Sequence, residues 1–93
     1  MGELAKHIHS LRQKKGITVR ALAQIVGKTP GYLSRVETRD EVPAPELICV
    51  IADALGGVPE TLLDLAKHDL IRRTKQQIEK KSADALSLYR RSQ

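Results

Sequence analysis

Residues 18–38, TVRALAQIVGKTPGYLSRVET, decide how the rest of this chain is read. Thr18 offers a hydroxyl where a helix N-terminus needs an acceptor. Ala21, Leu22, Ile25 and Val26 follow at helical spacing. Gly27 ends that helix, in a left-handed conformation that glycine adopts at little cost. Lys28 alone then separates it from Thr29-Pro30, the N-cap and first residue of a second helix. This second helix buries Leu33 and Val36 and ends near Thr38.

Working outward, Leu4, Ile8 and Leu11 fall at i, i+4, i+7 and predict an amphipathic helix to about Lys15, stopped at Gly16. After a loop from Asp40 to Ala44, Pro45 opens a fourth helix. Its Leu47, Ile48, Val50, Ile51, Ala54 and Leu55 leave little polar circumference, so it is expected to be the buried centre. Gly56-Gly57 terminates it, and Pro59 opens a fifth helix with Leu62, Leu63 and Ala66. From Lys67 onward Leu70, Ile71, Ile78, Ala85 and Tyr89 form a thin stripe, with Ser82 placed to cap a last short helix through Arg91. With no Trp or Phe and two Tyr, the core must be aliphatic. The expectation is an all-α protein: a compact five-helix domain over residues 1–66 and a basic helical C-terminal tail over 67–93.

Charge is segregated along the chain. Residues 1–39 carry eight Lys and Arg against Glu3 and Glu37, residues 40–66 carry six acids and no Lys or Arg, and residues 67–93 carry eight Lys and Arg against three acids. A basic block followed by an acidic one suits a protein with one face for a polyanion and another turned away from it. No apolar run approaches membrane-spanning length, and residues 1–10 lack the apolar stretch of a signal peptide. The single cysteine, Cys49, makes no intrachain disulfide and reads as a small core residue of a cytoplasmic protein. His7, His9 and His68 lie at no metal-ligand spacing, no cofactor motif is present, and nothing resembles a phosphate loop, a nucleophile elbow or a carboxylate pair. The sequence therefore reads as a non-enzyme without metal or cofactor.

Two short helices joined by a tight glycine-containing turn are the minimum of a helix-turn-helix, whose second helix enters the major groove of double-stranded DNA. With Leu33 and Val36 inward, steps of about 100° per residue put Gly31, Ser34, Arg35 and Thr38 outward and Tyr32 on the flank. Gly31 permits close approach of DNA. Ser34 suits a base edge or a phosphate, and Arg35 can fork onto guanine O6 and N7 or grip a phosphate. Thr29, the free amides of the helix N-terminus and Lys28 suit a phosphate. Tyr32 contacts DNA, packs its ring on the preceding helix, or does both. Lys14, Lys15 and Arg20 are solvated charges or phosphate contacts.

The motifs Leu11-Arg12, Gly16-Ile17-Thr18, Leu22-Ala23, Val26-Gly27, Tyr32 to Glu37, Pro45-Glu46-Leu47, Ala52 and Leu55-Gly56 resemble the lambda-repressor-like, Cro/C1 (XRE) class of bacterial and phage regulators over residues 4–66. The resemblance implies a five-helix domain, homodimeric binding to a palindromic operator, and transcriptional control, usually repression. It also implies an Arg12–Glu37 pair tying the first helix to the end of the reading helix. Val19 stands where the class often has a phosphate-contacting Gln, leaving that role to Thr18 or Arg20. Arg39, itself a candidate DNA contact, stands where Gly is usual. Asp40 and Glu41 replace residues that often grip phosphate. That loop is expected either to lie farther from DNA or to make binding weaker and more salt-sensitive.

The tail admits three readings: a helix that completes a homodimer by burying Leu70, Ile71 and Ile78, a basic arm that adds non-specific DNA affinity, or a frayed end. The repeated aliphatics favour the first. Two other functions share the fold. One is the antitoxin of a toxin–antitoxin pair, using the tail or the acidic block to hold a small toxin. The other is a protein-interaction adaptor that has lost DNA binding.

Overall fold

The computed structural model describes residues 2–92; Met1 and Gln93, the outermost residues of the expected domain and tail, lie outside the described residues. Five helices follow in order: α1 (Glu3–Lys15), α2 (Val19–Val26), α3 (Pro30–Thr38), α4 (Pro45–Leu55) and α5 (Pro59–Arg91), with no strand among the described residues. The fold is all-α.

Local chemistry sets the boundaries. The Thr18 hydroxyl accepts from the Ala21 amide at 3.0 Å and that of Thr29 from the Tyr32 amide at 3.2 Å. Each supplies an orphan donor of a helix start with its partner. Between these caps, Gly27 takes φ 73° and the Lys28 amide turns back to the Ala23 carbonyl at 2.9 Å. Proline starts α3, α4 and α5, where its missing N–H costs nothing.

Leu4, Ile8, Leu22, Ala23, Leu33, Val36, Ile48, Ile51, Ala52, Leu55, Leu62 and Ala66 close into one aliphatic core drawn from all five helices. The fourth helix is less central than its composition suggested. It buries Ile48, Ile51, Ala52 and Leu55, but Glu46, Val50 and Asp53 face solvent. The helices packed against it, α1, α2 and α5, cover one side and leave the other open.

A second difference concerns the tail. No separate last helix begins at Ser82; α5 runs unbroken through it for 33 residues. No Gly or Pro follows Pro59, so nothing in the sequence interrupts the hydrogen-bond ladder. Leu62, Ala66 and Asp69 form the buried face of α5, and from Leu70 the helix stands clear of the core. A compact chain of this length would have a radius of gyration of about 12 Å. The observed 17.0 Å, with a long dimension of 59 Å, measures that projection.

Asp69 is buried for a polar reason. The start of α1 has no side-chain cap of its own. Asp69 fills the gap, accepting from the amides of Glu3 at 3.1 Å and Leu4 at 3.0 Å, with Arg72 3.3 Å from the same carboxylate. A carboxylate at a helix N-terminus also meets the positive end of the helix dipole. The Gly2 amide donates to Asp40. Arg39, where glycine is usual, needs no glycine because its φ is −115°. The left-handed turn falls one residue later, at Asp40 (φ 56°), a residue type that tolerates it. The carboxylate of Asp40 is thereby folded onto the start of α1.

Candidate nucleic-acid interface

The geometry of α3 starts from what holds it in place. Leu33, Val36 and Glu37 are buried on its inner side. Glu37, only 2% exposed, is the polar anchor. Arg12 of α1 donates to it through Nε at 2.9 Å and through Nη2 at 3.1 Å, and His9 Nδ1 lies 2.8 Å from the same carboxylate. Arg12 Nη1 also donates to the Ile17 carbonyl at 2.8 Å, so one guanidinium joins α1, the turn after it and α3. A two-pronged charge-assisted contact fixes direction as well as distance. His9 was not singled out from the sequence. Its place three residues before Arg12, on the same helical face, was the available signal.

With its back fixed, α3 exposes Gly31, Ser34, Arg35 and Thr38, and Tyr32 is half-buried on the flank. Nothing lies closer than 3.9 Å to where a side chain would begin at Gly31, and the nearest atom is Arg35 Nη1. The Arg35 guanidinium lies over the Tyr32 ring, 5.7 Å from its centre. A cation over a ring face is weakly attracted to it at an exposed site. Thr38 stays at the surface with its hydroxyl folded back onto its own helix, donating to the Ser34 carbonyl at 2.7 Å.

Lys28, Thr29, Tyr32 and Arg35 come together around one shallow concavity that Gly27, Ala44 and Leu47 also line. Thr29 uses its oxygen as the α3 cap, which leaves its O–H free to donate; Thr18 stands in the same way at the start of α2. Thr18, Arg20 and Arg39 are exposed but do not line that concavity.

The two acids after α3 are both engaged. Asp40 is held at Gly2, and Glu41 Oε2 lies 3.5 Å from Arg35 Nε. The Tyr32 hydroxyl is pushed to a higher pKa, first by burial and then by the nearby Glu41 charge, with Arg35 opposing. The involvement of Glu41 escaped the sequence reading because it sits six residues beyond Arg35, across a turn that no helical period describes.

The apolar candidates of the tail lie elsewhere. Leu70, Ile71 and Ile78 are 47%, 55% and 59% exposed and line an open groove along α5 with Thr74, Lys75 and Glu79. Among the described residues no group of three His, Cys, Asp or Glu side chains could hold a metal ion, and no helix is long and apolar enough to cross a membrane.

Comparison with known proteins gives a consistent picture. A family model described as a helix-turn-helix domain matches residues 3–66. Two crystal structures of the clp gene regulator ClgR from Corynebacterium glutamicum are similar to this chain. One is 37% identical with a TM-score of 0.57, covering 71% of this chain and 86% of that one. The other is 29% identical with a TM-score of 0.61, covering 85% and 84%. No curated protein matches the sequence.

Proposed function

The chain belongs to the helix-turn-helix domain family, and on that premise we propose that it is a DNA-binding transcriptional regulator that represses from a palindromic operator as a homodimer. The observation that carries this reading is the two-sidedness of α3: Leu33, Val36 and Glu37 are locked behind it while Gly31, Ser34 and Arg35 stand exposed in front. The similarity to ClgR, a clp gene regulator, supports it. Membership of the lambda-repressor-like, Cro/C1 class is part of the same proposal and rests on the motifs over residues 4–66.

In this mechanism α3 lies in the major groove. Arg35 forks onto a guanine, Ser34 meets a neighbouring base edge or phosphate, and Gly31 lets the groove wall approach. Lys28, Thr29 and the first amides of α3 hold one phosphate, while Thr18 and Arg20 hold another on the side of α2. Tyr32 braces Arg35, and Thr38 and Arg39 approach the backbone at the far end of the helix. A second copy places its own α3 in the next major groove, about one helical turn away. Occupying a promoter then excludes the polymerase by overlap.

The homodimer is assigned to the projecting part of α5. Most helical stability in proteins comes from packing an apolar face rather than from the helix itself, and Leu70, Ile71 and Ile78 give the projecting part an exposed apolar row for such packing. Selection of binding sites from a random DNA pool tests the whole reading. The protein should enrich a two-fold symmetric motif, and Arg35→Ala should weaken binding by about 1–3 kcal/mol and relax one base position in each half-site. No enrichment, or an asymmetric single site, would overturn it.

A further inference from the structure

We propose that Glu41 is a positioning residue for Arg35: it holds the Nε edge of the guanidinium, presents the two terminal nitrogens end-on to a guanine, and withholds part of the arginine's charge from phosphates. The inference rests on Arg35 reading a base and adds to that reading a residue outside α3 that sets its selectivity.

Backbone geometry places Glu41 for this task. The α3 helix ends with the Arg39 amide donating to the Arg35 carbonyl at 2.8 Å, and the Glu41 amide reaches the same carbonyl at 3.3 Å. The left-handed residue between them, Asp40, turns the chain back so that both the amide and the carboxylate of Glu41 return to Arg35. Oε2 of Glu41 is closed off from solvent and has no hydrogen-bond partner among the described residues; its neighbour is Arg35 Nε at 3.5 Å. The Glu41 side chain as a whole is 42% exposed and that of Arg35 48%, so the enclosure concerns Oε2 alone, and the cation beside it offsets the loss of water there. Arg35 is therefore held from two sides, by Glu41 at Nε and by the Tyr32 ring beneath. Nη1 lies in the open space over Gly31.

An exposed ion pair of two long side chains normally contributes little. This pair is also half-exposed, but the acid is anchored through its own backbone amide and one of its two oxygens, Oε2, is withdrawn from water. The consequence is selectivity. With the carboxylate beside Nε, the two terminal nitrogens form the fork that matches O6 and N7 of guanine. With a carboxylate alongside, the same arginine is a poor partner for a phosphate, so indiscriminate binding is suppressed.

The test is equilibrium binding of the full chain and its E41Q variant to the selected operator, to the operator altered at the Arg35 base pair, and to random duplex, each over a salt series. Gln keeps the shape and removes the charge. E41Q should bind random duplex about threefold more tightly, with a salt slope steeper by up to about one unit, and should discriminate the guanine about fivefold less well. In an R35A background the same substitution should do neither. Unchanged slope and discrimination in E41Q overturn the proposal. Equal changes with and without Arg35 also overturn it, since Glu41 would then repel phosphate directly. If R35A alone leaves the selected motif intact, base reading by Arg35 fails and this inference fails with it; if R35A relaxes the motif while E41Q changes nothing, only the inference fails.

Discussion

The two halves of α5 share one backbone and have opposite surroundings. Up to Asp69 the helix is part of the core, with Leu62 and Ala66 packed on the other helices and Asp69 bound to the start of α1. From Leu70 to Arg91 the same helix extends for about 33 Å with its aliphatic residues uncovered. The difference shows that a continuous helix need not be a single structural unit. Its first part is fixed by burial and by polar contacts to other elements, and its second part has only its own ladder. Substitutions in the first should act on folding, and substitutions in the second on assembly.

The largest effect is expected where the core relies on a buried charge. Arg12→Ala would leave Glu37 enclosed with only His9 beside it, and breaking a buried pair from one side costs about 3–5 kcal/mol. In a domain of this size that lowers the thermal midpoint by at least about 12 °C, measurable by circular dichroism. DNA binding should fall even at temperatures where the protein stays folded, because α3 loses its tie to α1. A melt shifted by only a few degrees would mean that the Glu37 cluster is ornamental. Next comes Asp69→Ala, which strands the Glu3 and Leu4 amides at the start of α1 and should cost about 1–3 kcal/mol. Reversing the charge of exposed Lys80 eleven residues later should leave the melt within about 0.5 kcal/mol of the parent. Equal effects at the two positions would erase the proposed division of α5.

Beyond that division the readout changes. Ile71→Glu combined with Ile78→Glu should leave the core's melt unaltered at high dilution, convert the proposed dimer to a monomer in sedimentation, and reduce affinity for the selected operator by more than tenfold through loss of the second half-site. A dimer that survives both substitutions would move the interface off α5.

Most of this architecture could be read in the sequence wherever a local rule decided it. Thr18, Gly27, Thr29 and Pro30 act through their immediate neighbours, and all four sit where capping and turn chemistry put them. The exposure of Gly31, Ser34 and Arg35 followed from helical period once Leu33 and Val36 were taken as buried. What escaped was decided by contacts far along the chain. Asp69 caps a helix 65 residues away, yet it continues the inward spacing of Leu62 and Ala66, a signal that its charge concealed. The acids at 40 and 41 read as a loop that either lies farther from DNA or weakens binding and makes it more salt-sensitive. In the fold one is turned onto Gly2 and the other onto Arg35, a placement that depends on a left-handed turn at Asp40. Helical period similarly could not reveal how much of α4 would face solvent, because that depends on how many other helices are available to cover it.

The smallest expected effect is the most discriminating at the interface itself, because Thr29 has two roles that one residue type can separate. Its oxygen caps α3, and its hydroxyl hydrogen is free for a phosphate. Thr29→Ala removes both and should cost about 1 kcal/mol of stability along with some DNA affinity. Thr29→Asp keeps an acceptor for the Tyr32 amide, so stability should hold within a few tenths of a kcal/mol of the parent. The same carboxylate places a negative charge where the DNA backbone would lie, so affinity should fall further than with Ala. If Thr29→Asp bound DNA as well as the parent, the start of α3 would face away from the phosphates, and the orientation assigned to the reading helix would have to be reversed.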